Sequence, residues 1–183
     1  FEKAARETEG VTLTWEGHFI DPLFTHTTTG FTRPGDEEHP YLASVSCVHD
    51  PEEEGFVQEM IMQPEEAAKR VSAIPAGDGS FRTIPPEAFP EQVQIISRDE
   101  AGYALQLQIG GFPFNGEEVR LALGLPSACF ELNRHGSDVR FTVRGRGHGW
   151  GLSQTEAQAL AEDGWSAEAI LEYFYTGISF SSE

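Results

Sequence analysis

The sequence predicts an α+β fold in which antiparallel hairpins form a twisted sheet or partial barrel, with two C-terminal helices packed on one side. The prediction rests on short β-rich segments separated by turn residues and on two helix-start signals near the C-terminus, at Ser153 and Ser166. With 183 residues, 39% of them hydrophobic, the chain can bury one sizeable core. We therefore expect a single domain over residues 1–183.

The charge and the motifs exclude two classes of function. The chain carries 30 acidic and 12 basic residues, a formal charge of −18. Because phosphate contacts need a basic face, this balance argues against nucleic acid as a partner. A dinucleotide or phosphate-loop function is also disfavoured, since there is no G-K-[ST] and the glycine spacing is not that of the dinucleotide fingerprint.

Cysteine content and hydropathy bear on the compartment. Cys47 and Cys129 are too few for a disulfide framework, although a single bridge between them stays open. No apolar run approaches the ~20 residues of a membrane span, and there is no signal peptide. Either the protein is cytoplasmic or the chain is trimmed from a longer one, and Phe1 in place of Met favours trimming.

The first half of the chain is predicted to contain strands and two helices, connected by polar turns. The elements are the end of a helix at 1–10, hairpin strands at 11–15 and 18–20 around Glu16-Gly17, strands at 23–29 and 40–45, and a helix at 64–71. Pro64 fits the first turn of that helix, with acidic residues behind it and basic residues at the end. Residues 74–90 hold four prolines and predict a long surface loop or an insertion.

The second half alternates strands and helices. Its elements are strands at 93–98 and 103–109 (apolar at 103, 105, 107 and 109), a helix at 117–125, a hairpin of 130–132 with 139–143, and helices from 154 to 163 and after Ser166. Leu160 and Ala161 are expected to face the core, as are Ile170, Leu171 and Phe174. The aromatics at 173–175 are interpreted as packing rather than as a binding platform.

The most unusual stretch is residues 144–154, which read R-G-R-G-H-G-W-G-L-S-Q. So many glycines weaken ordinary strands and helices, so they indicate either a tight turn with positive φ or a surface that a substrate or a second backbone approaches closely. Ser153 and Glu156 have the spacing of a capping box. The segment is therefore predicted to be a loop that leads into a helix N-terminus, a place that can hold an anion or a polar substrate oxygen.

These residues carry a resemblance to a known family. The segment from Arg144 to Gly177 resembles the C-terminal signature of the stage II sporulation protein D family, which includes the amidase enhancers and runs G-x-G-H-G-x-G-[ML]-S-Q. Trp150 stands where a small aliphatic residue is usual, and Thr155-Glu156 replaces a Tyr-Gly pair. Weaker matches are residues 24–30 with an aromatic-His-Ser-Thr-x-Gly-Gly strand, 40–45 with P-Y-L-x-S-V and 116–125 with G-x-x-[VF]-R-x-x-L-G-L.

The resemblance implies an extracytoplasmic protein that acts on peptidoglycan in cell-wall remodelling or sporulation. One version is a lytic transglycosylase-like module that binds and cleaves glycan strands without stem peptides. The alternatives are a non-catalytic cell-wall-binding or amidase-enhancing module, and a structural interaction protein whose Gly-rich loop is only a turn. The implied partners are peptidoglycan glycan strands and other wall hydrolases.

Lytic cleavage needs one carboxylic acid that protonates the glycosidic oxygen and then accepts the C6 hydroxyl proton. The family places that acid in an E-Y-L-x-x-V-x-x-E-M-P region, followed by an A-x-[RK]-[ST]-[YF] helix, and this sequence contains neither. The catalytic residue is therefore unknown, and the activity of this chain is left open. We expect about a third of the module, with its catalytic segment and any membrane anchor, to lie upstream of Phe1.

Six residues are candidates for substrate binding. His148, between two glycines, can donate or accept a proton or clamp a substrate, and Ser153 and Gln154 at the helix start can orient it. His26, Tyr41 and Asp50 are expected on adjacent strands, where they can hold a sugar ring or share a proton. The alternative is a structural role, with histidines that bond loop carbonyls and a glutamine that caps.

A metal site is a further possibility. His26, Cys47 and His49 are candidate zinc ligands, because C-x-H on a strand aims both side chains to one face. The alternative is a buried thiol with two satisfied imidazoles. No cofactor other than zinc is indicated.

Overall fold

The computed structural model describes residues 8–182 and has an α+β fold, as predicted. The helix expected at 1–10 lies largely outside the described residues. The strands are β1 Val11–Trp15, β2 His18–Phe19, β3 Phe24–Thr25, β4 Val57–Met62, β5 Val93–Arg98, β6 Ala104–Ile109, β7 Phe112–Asn115, β8 Phe130–His135, β9 Asp138–Arg144, β10 Leu152–Ser153 and β11 Ser179–Ser182. The helices are α1 Pro64–Ser72, α2 Gly116–Leu123, α3 Gln154–Glu162 and α4 Ala167–Phe174, and short 3-10 turns span Asp50–Glu52 and Pro86–Ala88.

The strands form four small sheets and do not close into a barrel. Their orders are β11-β1-β2, β3-β10, β4-β9-β8 and β5-β6-β7. Neighbouring strands are antiparallel except β3 and β10, which pair in parallel. That parallel pair joins the beginning of the chain to the Gly-rich loop and therefore places both parts of the candidate site side by side.

One hydrophobic core lies between the β4-β9-β8 and β5-β6-β7 sheets and helices α1 and α2. Val139, Phe141 and Val143 point into it from β9, at the alternate positions expected of a half-buried strand. The segment 74–90 also contributes to this core: Ile84 and Phe89 are 3% and 1% exposed. Most of this segment is exposed, as expected of a surface loop, but Ile84 and Phe89 anchor it in the core.

A second core lies beneath α3 and α4, where Leu160, Ile170 and Phe174 are buried. Ala161, which we expected to face this core, is exposed, because it follows Leu160 by about 100° around the helix. Tyr175 is buried, and the Tyr173 hydroxyl donates to the Ser46 carbonyl at 2.6 Å. The aromatic run thus packs and anchors the last helix, as interpreted from the sequence.

The strand predicted at 40–45 does not form. Side-chain hydrogen bonds of Thr32 stand in place of a β-ladder in this segment. The Thr32 hydroxyl donates to the Ala43 carbonyl and accepts from the Val45 N–H, both at 2.9 Å. Side-chain bonds of this kind compete with strand pairing. Leu105 differs as well: it is 39% exposed, because a register shift between β5 and β6 interrupts the alternation expected along residues 103–109.

The structure describes both cysteines and the lengths of the helices. Cys47 and Cys129 are free and buried, so the bridge left open above is absent. No helix within residues 8–182 combines the length and the hydrophobicity that crossing a bilayer requires.

We expect Phe141→Ala to lower the free energy of unfolding by about 3–5 kcal/mol, because it leaves a cavity in the first core. Urea denaturation monitored by circular dichroism measures the loss. Leu121→Ala is the matched control, since Leu121 is 70% exposed on α2, and it should change the free energy by less than about 0.5 kcal/mol. Equal losses for the two variants would contradict the assignment of this core.

Candidate functional site

The Gly-rich loop lies directly against residues 23–28. Its four glycines, at 145, 147, 149 and 151, have φ angles between 71° and 109°. A Cβ at Gly151 would collide with the Leu23 carbonyl oxygen, and one at Gly149 would lie 2.5 Å from Cζ of Tyr103. The glycines therefore serve both a turn with positive φ and a close approach of a second backbone, and that backbone belongs to this chain.

Backbone hydrogen bonds hold the loop in this position. Thr27 and Arg146 exchange N–H···O bonds of 3.0 and 2.8 Å, and the Leu152 N–H donates to the Leu23 carbonyl at 3.0 Å. The Thr25 hydroxyl donates to the Arg146 carbonyl at 3.1 Å. The three side chains between the glycines, those of Arg146, His148 and Trp150, remain at least partly exposed.

A buried arginine, Arg33, holds the Gly-rich loop in place. The Arg33 side chain is 4% exposed, and its guanidinium donates to Asp99 at 2.6 Å and to Glu117 at 3.0 Å. The same group donates to the His148 carbonyl at 3.1 Å and lies 3.7 Å from the centre of the Trp150 ring. Two carboxylates and an aromatic face compensate the desolvated charge.

Sequence reasoning missed Arg33. It stands in a polar stretch interpreted as a loop, where an arginine is normally solvated. The one sequence signal was Trp150, which is bulkier than the small aliphatic residue usual at that place in the family pattern. The Arg33 guanidinium covers the Trp150 ring.

His148 has a defined protonation state. The Trp150 N–H donates to its Nδ1 at 3.1 Å, which places the proton of the neutral ring on Nε2. Burial lowers the pKa of His148 below its usual range, so the ring is neutral at pH 7. The Nε2–H is engaged within the chain, since a hydrogen bond between the ring and the Phe24 backbone opposes this lowering of the pKa.

In His26 the proton of the neutral ring lies on Nδ1 instead of Nε2, as a connected set of hydrogen bonds shows. The Thr155 hydroxyl donates to the His26 carbonyl at 3.1 Å, so the 2.9 Å contact between Thr155 and Thr27 must be a donation by Thr27. Thr27 Oγ1 then accepts from His26 Nδ1 at 2.7 Å. In the neutral ring, Nε2 then carries no proton and can act as an acceptor.

His26 and Gln154 line the same depression, about 230 Å³ in volume, together with Glu53, Thr155 and Gln158. A smaller depression of about 80 Å³ adjoins it, lined by His26, Glu53, Glu54, Phe56 and Arg146 among others. Two motif segments far apart in sequence thus meet at one polar surface. Glu53 and Thr155 were not among the predicted site residues.

Asp50 and Ser153 lie beneath that surface and are fully buried. The Thr28 N–H and hydroxyl donate to Asp50 Oδ2 at 2.5 and 2.6 Å, and the Ser153 hydroxyl donates to the same carboxylate at 2.8 Å. Burial raises the pKa of Asp50 above its usual range. These two residues hold the loop, the strand β3 and helix α3 together.

Helix α3 begins as predicted, but its capping box is incomplete. Ser153 Oγ accepts from the Glu156 N–H at 3.3 Å, whereas the Glu156 carboxylate does not accept a hydrogen bond from the Ser153 N–H. It accepts instead from the His49 N–H at 2.8 Å and from His49 Nδ1 at 3.1 Å. The tertiary ion pair replaced the local bond, since Glu156 is 2% exposed and requires a partner.

Tyr41 lies apart from the other candidates. It is 5% exposed, and its hydroxyl accepts from the Asp21 N–H at 3.0 Å. The expectation that His26, Tyr41 and Asp50 occupy adjacent strands was wrong, because residues 40–50 are irregular and His26 follows the two-residue strand β3. Of this set only His26 reaches the depression beside the Gly-rich loop.

The three candidate zinc ligands are engaged elsewhere. His26 bonds to Thr27, His49 to Glu156, and burial raises the pKa of the Cys47 thiol to about 12, which disfavours the thiolate. Residues 8–182 contain no group of three His, Cys, Asp or Glu side chains placed to hold a metal ion. As placed, these three side chains do not form a ligand set.

We expect Gly149→Ala to destabilise the protein more than Gly136→Ala does. Both glycines have positive φ, 86° and 64°, but a Cβ at Gly136 meets no atom within 4 Å. Gly136→Ala, the control, should therefore lower the free energy of unfolding only by the backbone strain, about 1–2 kcal/mol. Gly149→Ala should cost about 1–3 kcal/mol more, because it overpacks Tyr103. Urea unfolding compares them, and equal costs would contradict the close approach.

We expect the His49–Glu156 pair to make stability depend on pH. The hydrogen bond to Glu156 raises the pKa of His49 above 6.5, its ordinary value. The folded state then binds the proton more tightly, so the contribution is fully present below about pH 6.5 and is lost as pH rises through the raised pKa. Unfolding free energies between pH 5.5 and 8.5 should show this component in the native protein.

His49→Gln should remove that component, and the double variant with Glu156→Gln should show the same pH slope as His49→Gln alone. A component that persists in His49→Gln would assign it to another group.

Comparison with known proteins agrees with the motif. No family model matches the chain. The stage II sporulation protein D chains of Bacillus amyloliquefaciens and Bacillus subtilis are each 29% identical in an alignment of 182 positions that covers 97% of this chain and 50% of theirs. The chain thus spans about half the length of the curated relatives it matches. The resemblance predicted from the Gly-rich loop is confirmed: the chain is similar to these two stage II sporulation protein D chains.

Proposed function

We propose that this chain is the glycan-binding part of a lytic transglycosylase-like module that acts on peptidoglycan. The observation that carries the proposal is the shared depression of His26 and Gln154, at which the two family-like segments meet. The name of the two relatives supports a role in sporulation or in the cell wall.

The chemistry of the depression suits a neutral, hydroxyl-rich ligand. His26 Nε2 offers an acceptor, and Gln154, Thr155 and Gln158 offer amide and hydroxyl groups that donate and accept. Arg146 is the one basic residue among those that line the two depressions. A ligand recognised mainly through hydrogen bonds, such as a sugar, therefore fits better than a phosphate ester, which needs several cations.

Cleavage requires a carboxylic acid close to the bound glycosidic oxygen. Glu53 lines the depression but is exposed, and the acid-bearing motif of the family does not occur in this sequence. We propose that the whole protein supplies this acid from its family motif while the depression holds the strand. The extracytoplasmic location and the encounter with other wall hydrolases are part of the same proposal.

We expect the protein to bind purified glycan strands without stem peptides, and His26→Ala to weaken that binding about tenfold. The variant removes one acceptor at the ligand, and a hydrogen bond is worth about 1 kcal/mol or somewhat more. Isothermal titration calorimetry measures the affinity. His135→Ala, at the end of β8 and outside both depressions, is the control and should bind like the native protein.

Absence of binding by the native protein would overturn the proposal. Mass spectrometry of strands incubated with the protein then separates the two versions of the function. Anhydro-sugar ends produced by the chain joined to its acid-bearing segment indicate a lytic module, whereas binding without products indicates a wall-binding or amidase-enhancing module.

A further inference from the structure

We propose that a second cavity, walled by Trp150, binds one further sugar ring of the same strand. This inference rests on the proposed function and adds a subsite to it. The cavity is about 290 Å³, and Leu23, Leu42 and Trp150 form its apolar side, with Asp36 and His39 among its polar residues. Its volume lies at the lower end of the range for ligand pockets, which suits one ring rather than an oligomer.

The indole of Trp150 is held before any ligand arrives. Its Nε1–H donates to the Pro34 carbonyl at 3.1 Å, and the buried Arg33 guanidinium stacks on the ring. A side chain fixed in this way loses little conformational entropy on binding. Trp150, Leu23 and Leu42 thus offer a preformed apolar wall for the C–H face of a sugar.

The polar rim supplies the orientation. Asp36 Oδ1 accepts from the N–H groups of Glu38 and His39 at 3.1 and 3.0 Å and from His39 Nδ1 at 2.8 Å. The bond to His39 lowers the pKa of Asp36, so the group is ionised at neutral pH. Its second oxygen has no hydrogen-bond partner among residues 8–182, which leaves a charged acceptor for a sugar hydroxyl.

The position of the cavity links it to the first depression. Leu23 lines the cavity and His26 lines the depression, and these residues lie on either side of strand β3, three positions apart in the chain. Three residues of extended chain span about 10 Å, a distance that an oligosaccharide bridges and a single sugar does not. Phe24 lies between them in the chain and is 61% exposed.

The carboxylate also limits the class of occupant. An ionised Asp36 in a chain of net charge −18 repels anions, so phosphate esters and acidic peptides are disfavoured. The apolar wall and the single charged acceptor favour a ring with both C–H and hydroxyl groups.

The test compares Asp36→Asn with Glu38→Gln in binding of a stem-peptide-free glycan oligosaccharide long enough to span both cavities. Asparagine keeps the Oδ1 acceptor of the turn and removes the charge, whereas Glu38 lines a different cavity. We expect Asp36→Asn to weaken binding about tenfold or more, as for loss of a hydrogen bond to a charged group, and Glu38→Gln to bind like the native protein. Calorimetry gives the affinities, and thermal unfolding verifies that both variants fold.

A nuclear magnetic resonance titration provides the second readout. The indole N–H signal of Trp150, assigned by its loss in Trp150→Phe, should shift when the oligosaccharide binds. Native binding with no effect of Asp36→Asn and a static indole signal would overturn the subsite and leave the proposed function standing. Equal losses in both carboxylate variants would assign the effect to general charge and also overturn it. Failure of the native protein to bind would overturn both proposals.

Discussion

The close approach of the Gly-rich loop to residues 23–28 is the contact on which the candidate site depends. Side chains at Gly147 or Gly151 would occupy the space of Thr25 and of the Leu23 carbonyl. Because no side chain intervenes, β3 and β10 can pair in parallel and bring His26 beside Gln154. The entropic cost of so many glycines is therefore offset by contacts that no other residue permits.

Buried charges stabilise this contact from two sides. Arg33 ties the loop to Asp99 and Glu117 of the neighbouring sheet and helix, while Asp50 ties it to Thr28 and Ser153. Removal of one partner would leave a charge without compensation in the interior, which is far more costly than loss of a surface pair.

The two histidines beside the loop have different hydrogen-bond arrangements. His148 is neutral and bonds to the Trp150 N–H and the Phe24 backbone, whereas the threonine bonds around His26 leave its Nε2 as an acceptor. Neither role follows from the residue type, since each depends on the partner of Nδ1. Arg146 lines the smaller depression beside the loop, and Trp150 lines the separate cavity on the other side.

The sequence by itself determined the local features of this protein: the hairpin at Glu16-Gly17, the start of α3 after Ser153, the α+β class and the family resemblance. These depend on residues a few positions apart, so turn and capping chemistry suffices to predict them. Only the tertiary structure decided that Asp50 and Ser153 are buried, that Glu156 binds His49 instead of its own cap, and that Arg33 lies under Trp150. Burial and pairing of these groups depend on contacts between distant segments, which local patterns do not encode.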